Sequence, residues 1–186
     1  MANYSVFSAI AVPRTIADPL DYWDDAARKL RGHSRHGWFV RQCKELLDVA
    51  PSHDSLRFLS MEASTRERRE NNDLTTWRLL NEKSLQNAVD ELDSILGFAR
   101  DDIEFLFGHL KFDAQGWTLD EIRTELSEAL GQGDLPERVT DGGEGDTPKF
   151  MFIWLVAVRN FLSYARANSR DVVYLSWHGE WNGSVA

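Results

Sequence analysis

TPKFMFIWLVAVRNFLSYARANSRDVVYLSW, residues 147–177, holds both kinds of order from which this chain is built. Thr147 can accept from the free amides that open a helix, Pro148 suits the first helical position, and the residues that follow are apolar nearly all round. A helix over about 148–168 without a polar face must be central, because every side of it needs cover. DVVYLSW at 171–177 is rich in β-branched and aromatic residues, the composition of a strand. Its counterpart at the other end of the chain is VFSAIAV, residues 6–12. Pairing of these N- and C-terminal strands predicts a mainly α domain with a small β-sheet, hence α+β; an all-α helical bundle is the alternative.

Working outward, period and caps mark further helices. In DPLDYWDDAARKLRG, Asp18 and Pro19 open a run in which Leu20, Trp23, Ala27 and Leu30 share one face until Gly32. His36 to Val49 places Phe39, Cys43, Leu46 and Leu47 inward, with Pro51 as the stop. Leu74, Trp77 and Leu80 suggest a helix over 73–83 leading into SLQNAVDELDSILGF, which Ser84 opens. Asp101 or Asp102 caps a short helix through Leu110. Thr118 and Glu121 form a capping box for Leu119, Ile122, Leu126 and Leu130, and Gly131 ends that run. SLRFLSM at 55–61 is an ambiguous third strand. No repeat or linker divides the chain, so residues 1–186 read as a single domain, and DLPERVTDGGEGDTP at 134–148 reads as an exposed, mobile loop.

The 186 residues are 42% hydrophobic and 11% aromatic, too rich in large apolar groups for a disordered chain. Cys43 is the only cysteine, which excludes an internal disulfide and suits a reducing compartment. The start has no basic region ahead of its short apolar stretch, and the longest apolar block, 150–158, is too short to span a bilayer. A cytoplasmic protein without membrane association is expected.

Charge is distributed unevenly. The net charge is −9, yet residues 90–146 alone hold 16 acids against 4 bases. Such a segment steers a basic partner toward it, most strongly at low salt; alternatively it is the solvated face of two helices and a loop. Asp101, Asp102, Glu104, Glu128, Asp141, Glu144 and Asp146 are the candidate partner-binding acids. Opposite in sign is the stretch Arg28 to Lys44, with Arg28, Lys29, Arg31, Arg35, Arg41 and Lys44, where Trp38 is available to stack on a base. Pairing with the acidic segment inside the molecule is the competing reading of that stretch, and the acidic balance of the whole argues against nucleic acid as the partner.

Motifs that would announce catalysis or a metal are missing. There is no HExxH, CxxC, GxSxG, phosphate-cradling GxxxxGK[ST] or GxGxxG, and the acids of the glycine loop do not follow calcium-loop spacing. His33 and His36 stand alone, and Cys43 lies on the buried face of its helix, so neither a metal nor a cofactor is expected. Trp177, His178, Glu180 and Trp181 in SWHGEWNG bring two indoles, an imidazole and a carboxylate together as a candidate ligand cluster; pinning of the tail to the core is its plainer reading.

VRNFLSYA, with Arg159, Asn160 and Tyr164, resembles the Arg-Asn-x-x-x-His motif of HEPN-type helical ribonucleases over about a dozen residues. Tyr164 stands where that family has its catalytic histidine, and a phenol with a pKa near 10 cannot act as base at neutral pH. The resemblance implies a degenerate, inactive copy. The expected function is that of an immunity- or antitoxin-type inhibitor whose acidic surface neutralises a basic partner such as a bacterial toxin. A helical nucleic-acid-binding domain and a DNA-mimicking phage or host regulatory factor are the alternatives.

Overall fold

A computed structural model describes residues 3–15, 27–50, 54–60, 66–70 and 73–180. Five strands and five α-helices follow in the order β1 (Asn3–Pro13), β2 (Lys29–Arg35), α1 (Trp38–Val49), β3 (Arg66–Glu70), β4 (Asp73–Leu80), α2 (Glu82–Asp101), α3 (Ile103–His109), α4 (Leu119–Leu130), α5 (Pro148–Ala167) and β5 (Arg170–Glu180). The sheet is antiparallel throughout, with strand order β2-β1-β5-β4-β3. The fold is α+β, and the all-α alternative falls.

The terminal strands do pair, β1 with β5 from Asn3↔Glu180 to Pro13↔Arg170. The sheet they centre is larger than expected, because two segments read as helical are strands. Lys29–Arg35 is β2, so any helix begun at Asp18 cannot run on to Gly32; residues 16–26 lie outside the described residues. Asp73–Leu80 is β4, hydrogen-bonded to β5 from Leu74↔His178 to Leu80↔Val172. In both, apolar residues three apart imitated a helix, and pairing with a neighbouring strand overrides so short a local signal. The ambiguous strand at 55–61 is instead a 3-10 helix, Asp54–Ser60, which buries Leu56, Phe58 and Leu59.

Helices cover one face of the sheet. α5 is the central one: thirteen of its residues are buried, and Thr147 caps it by accepting from the Phe150 amide at 3.1 Å. Its Trp154 ring packs against Phe7 of β1 and stacks on Phe150, with centroids at 5.7 and 6.1 Å. Gly32 of β2 makes this possible, since a Cβ there would lie 2.7 Å from the Trp154 ring. α1 joins the layer through Phe39, edge-on to Phe7 and Phe150 at 5.2 and 5.9 Å. Ser34, buried on β2, accepts from the Phe39 amide at 2.9 Å and so serves the start of α1, where Gly37 offers no side chain. α2 and α4 pack on α5, and α3 on α2 and α4. The capping box of Thr118 and Glu121 closes as the sequence requires. Among the described residues, no helix is long and apolar enough to cross a membrane.

Cys43 is fully buried, and burial pushes its thiol far above the ordinary value, so it is an inert core group. Tyr174 is likewise buried and its phenol raised by desolvation, with the Trp154 indole beside it.

Candidate partner-binding surface

The acids singled out from the sequence fall into two groups. Asp141, Glu144 and Asp146 belong to the connection between α4 and α5, and this connection is not the loose loop expected. Its backbone runs along the outer edge of β2. Arg31 N–H donates to the Glu137 carbonyl at 2.8 Å, Val139 N–H to the Arg31 carbonyl at 2.8 Å, and Arg35 N–H to the Glu144 carbonyl at 2.9 Å. Val139 is 2% exposed. Gly145 lies so close to β2 that a Cβ would collide with the His33 carbonyl, and its φ of +70° is one that L side chains rarely adopt. This strap satisfies an edge strand that would otherwise present free amides and carbonyls.

Side chains repeat the same contact. The alternation of β2 sends Leu30, Gly32 and Ser34 inward and puts half-buried Lys29, Arg31, His33 and Arg35 on the opposite face. His33 therefore sits on a strand rather than in a connection between helices. Glu144 pairs with Arg35 and accepts from the Tyr4 hydroxyl at 3.1 Å. Partial burial, and then Glu144, hold the Tyr4 pKa above its usual value. His33 has its ring 6.0 Å from that of Tyr4; burial and then Arg138 lower its pKa, against the opposing pull of Asp141 and Glu144. Asp141 accepts from Gly143 N–H at 2.9 Å and from the Thr147 hydroxyl at 2.5 Å, which folds the strap onto the start of α5. Arg28 donates to the Leu135 carbonyl at 2.6 Å and lies 5.6 Å above the Tyr164 ring. The basic stretch thus meets the acidic segment inside the molecule, and Asp146 alone of the three strap acids is exposed.

Asp101, Asp102, Glu104 and Glu128 form the second group, on the helices. Residues 101–130 carry eight acids against Lys111 and Arg123. Asp101 pairs with its neighbour Arg100 at 2.8 Å, which lowers its pKa through their hydrogen bond. Glu104 reaches Arg123 at 2.6 Å, and Glu128 lies 3.4 Å from Lys149, whose pKa is raised by Glu125 and then Glu128. Asp102 precedes α3 without a side-chain capping bond and makes no ion pair among the described residues. All four are exposed.

What the sequence did not single out is Phe105. On α3 it is 49% exposed, stacked on His109 at 5.5 Å and tilted against Phe98 at 6.2 Å. Helical spacing carries the signal: Ile103, Leu106 and Leu110 form the buried stripe, so Phe105 has to point elsewhere. An open phenyl ring flanked in sequence by Asp101, Asp102 and Glu104 has the make-up of an interface anchor within a charged rim.

Trp177 is half-buried on the sheet face away from the helices, opposite Val6 in register; His178 and Glu180 lie on β5 without described side chains, and Trp181 is outside the described residues. Arg159 donates to Asp93 at 2.8 Å and to Asn160 at 3.0 Å, while Asn160 donates to the Gln132 carbonyl at 3.3 Å. Among the described residues, no cluster of three or more His, Cys, Asp or Glu could hold a metal ion. Comparison with family models, with curated proteins and with solved structures finds no match for this chain.

Proposed function

We propose that this chain is a protein-binding domain of the immunity or antitoxin type, which holds a basic partner, such as a toxin, against the face formed by the end of α2, α3 and α4. The observation that supports this is Phe105, an exposed aromatic anchor beside Asp101, Asp102 and Glu104 within the acidic segment 90–146. Burial of one ring supplies affinity, and the surrounding acids supply encounter rate and the choice of a basic surface. Of the strap acids, Glu144 and Asp141 are engaged within the fold, while Asp146 is exposed. On β2, Arg35 pairs with Glu144, which takes that cation from the nucleic-acid reading.

The test is capture of a partner on immobilised protein, compared among wild type, Phe105→Ala and the combined reversal of Asp101, Asp102, Glu104 and Glu128 to lysine. The expected result is a basic protein held by wild type, released by raised salt and lost with both variants. Equal capture by all three proteins, or tight binding of heparin or RNA by wild type, overturns the proposal.

A further inference from the structure

The sheet has two edges, and they are treated differently. Along its outer side β2 is bonded to the strap backbone at Glu137, Val139 and Glu144. At the other end of the strand order lies β3, paired with β4 on one side and with no strand or bridge on its outer side among the described residues. An open edge is a template for a further strand, and charge is the usual guard where nothing is to pair. β3 reads Arg66, Glu67, Arg68, Arg69, Glu70, so each of its positions is charged. Its register with β4 supplies none of them with an opposite charge: the residues across are Trp77, Thr76, Thr75, Leu74 and Asp73.

The order of signs separates a guard from a match. Charges placed only to keep strands away would repel a second copy of β3 as well. Laid antiparallel about a two-fold axis at Arg68, a second β3 instead sets Arg66 opposite Glu70 and Glu67 opposite Arg69, so that only Arg68 meets its like. A slip of one residue in one direction sets Glu67 opposite Glu70 and Arg68 opposite Arg69, like signs throughout. In the other direction Arg66 meets Arg69, and only the pairs of Glu67 with Arg68 are opposite. Parallel pairing in register matches every residue with its like. The signs thus select one direction and one register. We propose that β3 is a self-pairing edge, through which two copies of this chain join their sheets into one antiparallel sheet. So short a contact buries well under the roughly 1,000 Å² of a stable interface, and the dimer accordingly forms with a Kd of about 0.1 mM. The inference does not rest on partner binding at Phe105, which is on α3 rather than on the sheet.

Sedimentation equilibrium of the full chain from about 10 µM to about 1 mM tests this, a range that brackets the expected Kd. Wild type should pass from monomer to dimer, less readily as salt rises. Arg68→Thr removes the single like pair and should tighten the dimer about twofold or more. Glu67→Arg with Glu70→Arg makes the strand wholly basic, and Arg66→Glu with Arg69→Glu makes it acidic on both sides of Arg68. Each of these double variants should stay monomeric alone, and the two should associate when mixed, with circular dichroism matching that of wild type. Association on mixing distinguishes lost charge matching from a lost fold. Monomers at every concentration for both wild type and Arg68→Thr, self-association of the double variants equal to that of wild type, or no association on mixing overturns the inference.

Discussion

The strap at 134–147, with five acids against one base, and the helical face at 101–130, with eight against two, both pair part of their acid within the fold and differ in what stands beside the rest. In the strap, Glu144 stands against Arg35 and Tyr4, and the backbone at Glu137, Val139 and Glu144 is bonded to β2. On the helices, Asp102 has no ionic partner among the described residues, and an aromatic ring lies open beside it. A count of acids is therefore silent about function until it is known which of them the fold has already matched with a base. Ionic groups of the first kind belong to stability, and those of the second to encounter with something outside.

The comparison breaks most readily at Gly145. Gly145→Val combines a disfavoured φ with a collision against the His33 carbonyl, and about 3 kcal/mol or more should be lost in urea unfolding. Gly142→Val, at a φ of +82° but with open space around it, should cost only about 1 to 2 kcal/mol. Equal costs would mean that the strap is not held where Gly145 crosses β2. The helical face should answer in the opposite way. Phe105→Ala should leave stability within about 0.5 kcal/mol, as for an exposed site, while weakening a captured partner by about 2 kcal/mol or more in calorimetric titration.

Much of this contrast was legible, and the illegible parts have a common cause. α4 and α5 follow from caps and period, and α2 from period, since its cap is Asn81 rather than Ser84; their buried stripes are long, as in Leu85, Ala88, Val89, Leu92, Ile95 and Leu96. β2 escaped because its inward positions are Leu30, Gly32 and Ser34. A glycine that makes way for Trp154 and a serine that serves α1 carry no apolar alternation. Leu30 alone then fitted the helical period of the residues before it. β4 escaped because Leu74, Trp77 and Leu80 are three apart, although Thr75, Thr76 and Trp77 already favoured a strand. The strap looked loose by composition, since its anchoring uses main-chain groups, which sequence does not display. Phe105 was passed over for a simpler reason: it became informative only when Ile103 and Leu106 were known to face inward.

Smaller effects sharpen the picture within the strap. Glu144→Gln removes the charge opposite Arg35, and with both side chains about 40% exposed the loss should be only about 0.5 to 1 kcal/mol in urea unfolding. His33 gives the region a pH dependence. Its folded pKa lies below the unfolded value of 6.5, so the unfolded chain takes up the proton first. The stabilising contribution is present above pH 6.5 and is lost as pH falls from there through the folded pKa. Between pH 7.5 and 5, the melting temperature of wild type should therefore fall more than that of His33→Gln. Parallel profiles would show that Asp141 and Glu144 offset the burial of the imidazole and Arg138 in full.

The smallest expected change in stability is at Asp102. Asp102→Lys removes a carboxylate that precedes α3 with no capping bond and no ion pair among the described residues, so only its attraction to the helix N-terminus is lost, a few tenths of a kcal/mol up to about 1 kcal/mol. Its effect on association should be larger in proportion, because a rim charge acts on the approach of a basic partner rather than on the final contact. In stopped-flow mixing with the captured partner, wild type should associate more slowly as salt rises, since the Debye length shrinks from about 10 Å at 0.1 M to about 3 Å at 1 M. Asp102→Lys should be slower than wild type at low salt and converge on it at high salt, with dissociation hardly changed. Glu144→Gln, tested alongside, should associate as wild type does at every salt concentration. If instead Glu144→Gln slows association and Asp102→Lys does not, the two regions have their roles reversed, and the partner meets the strap.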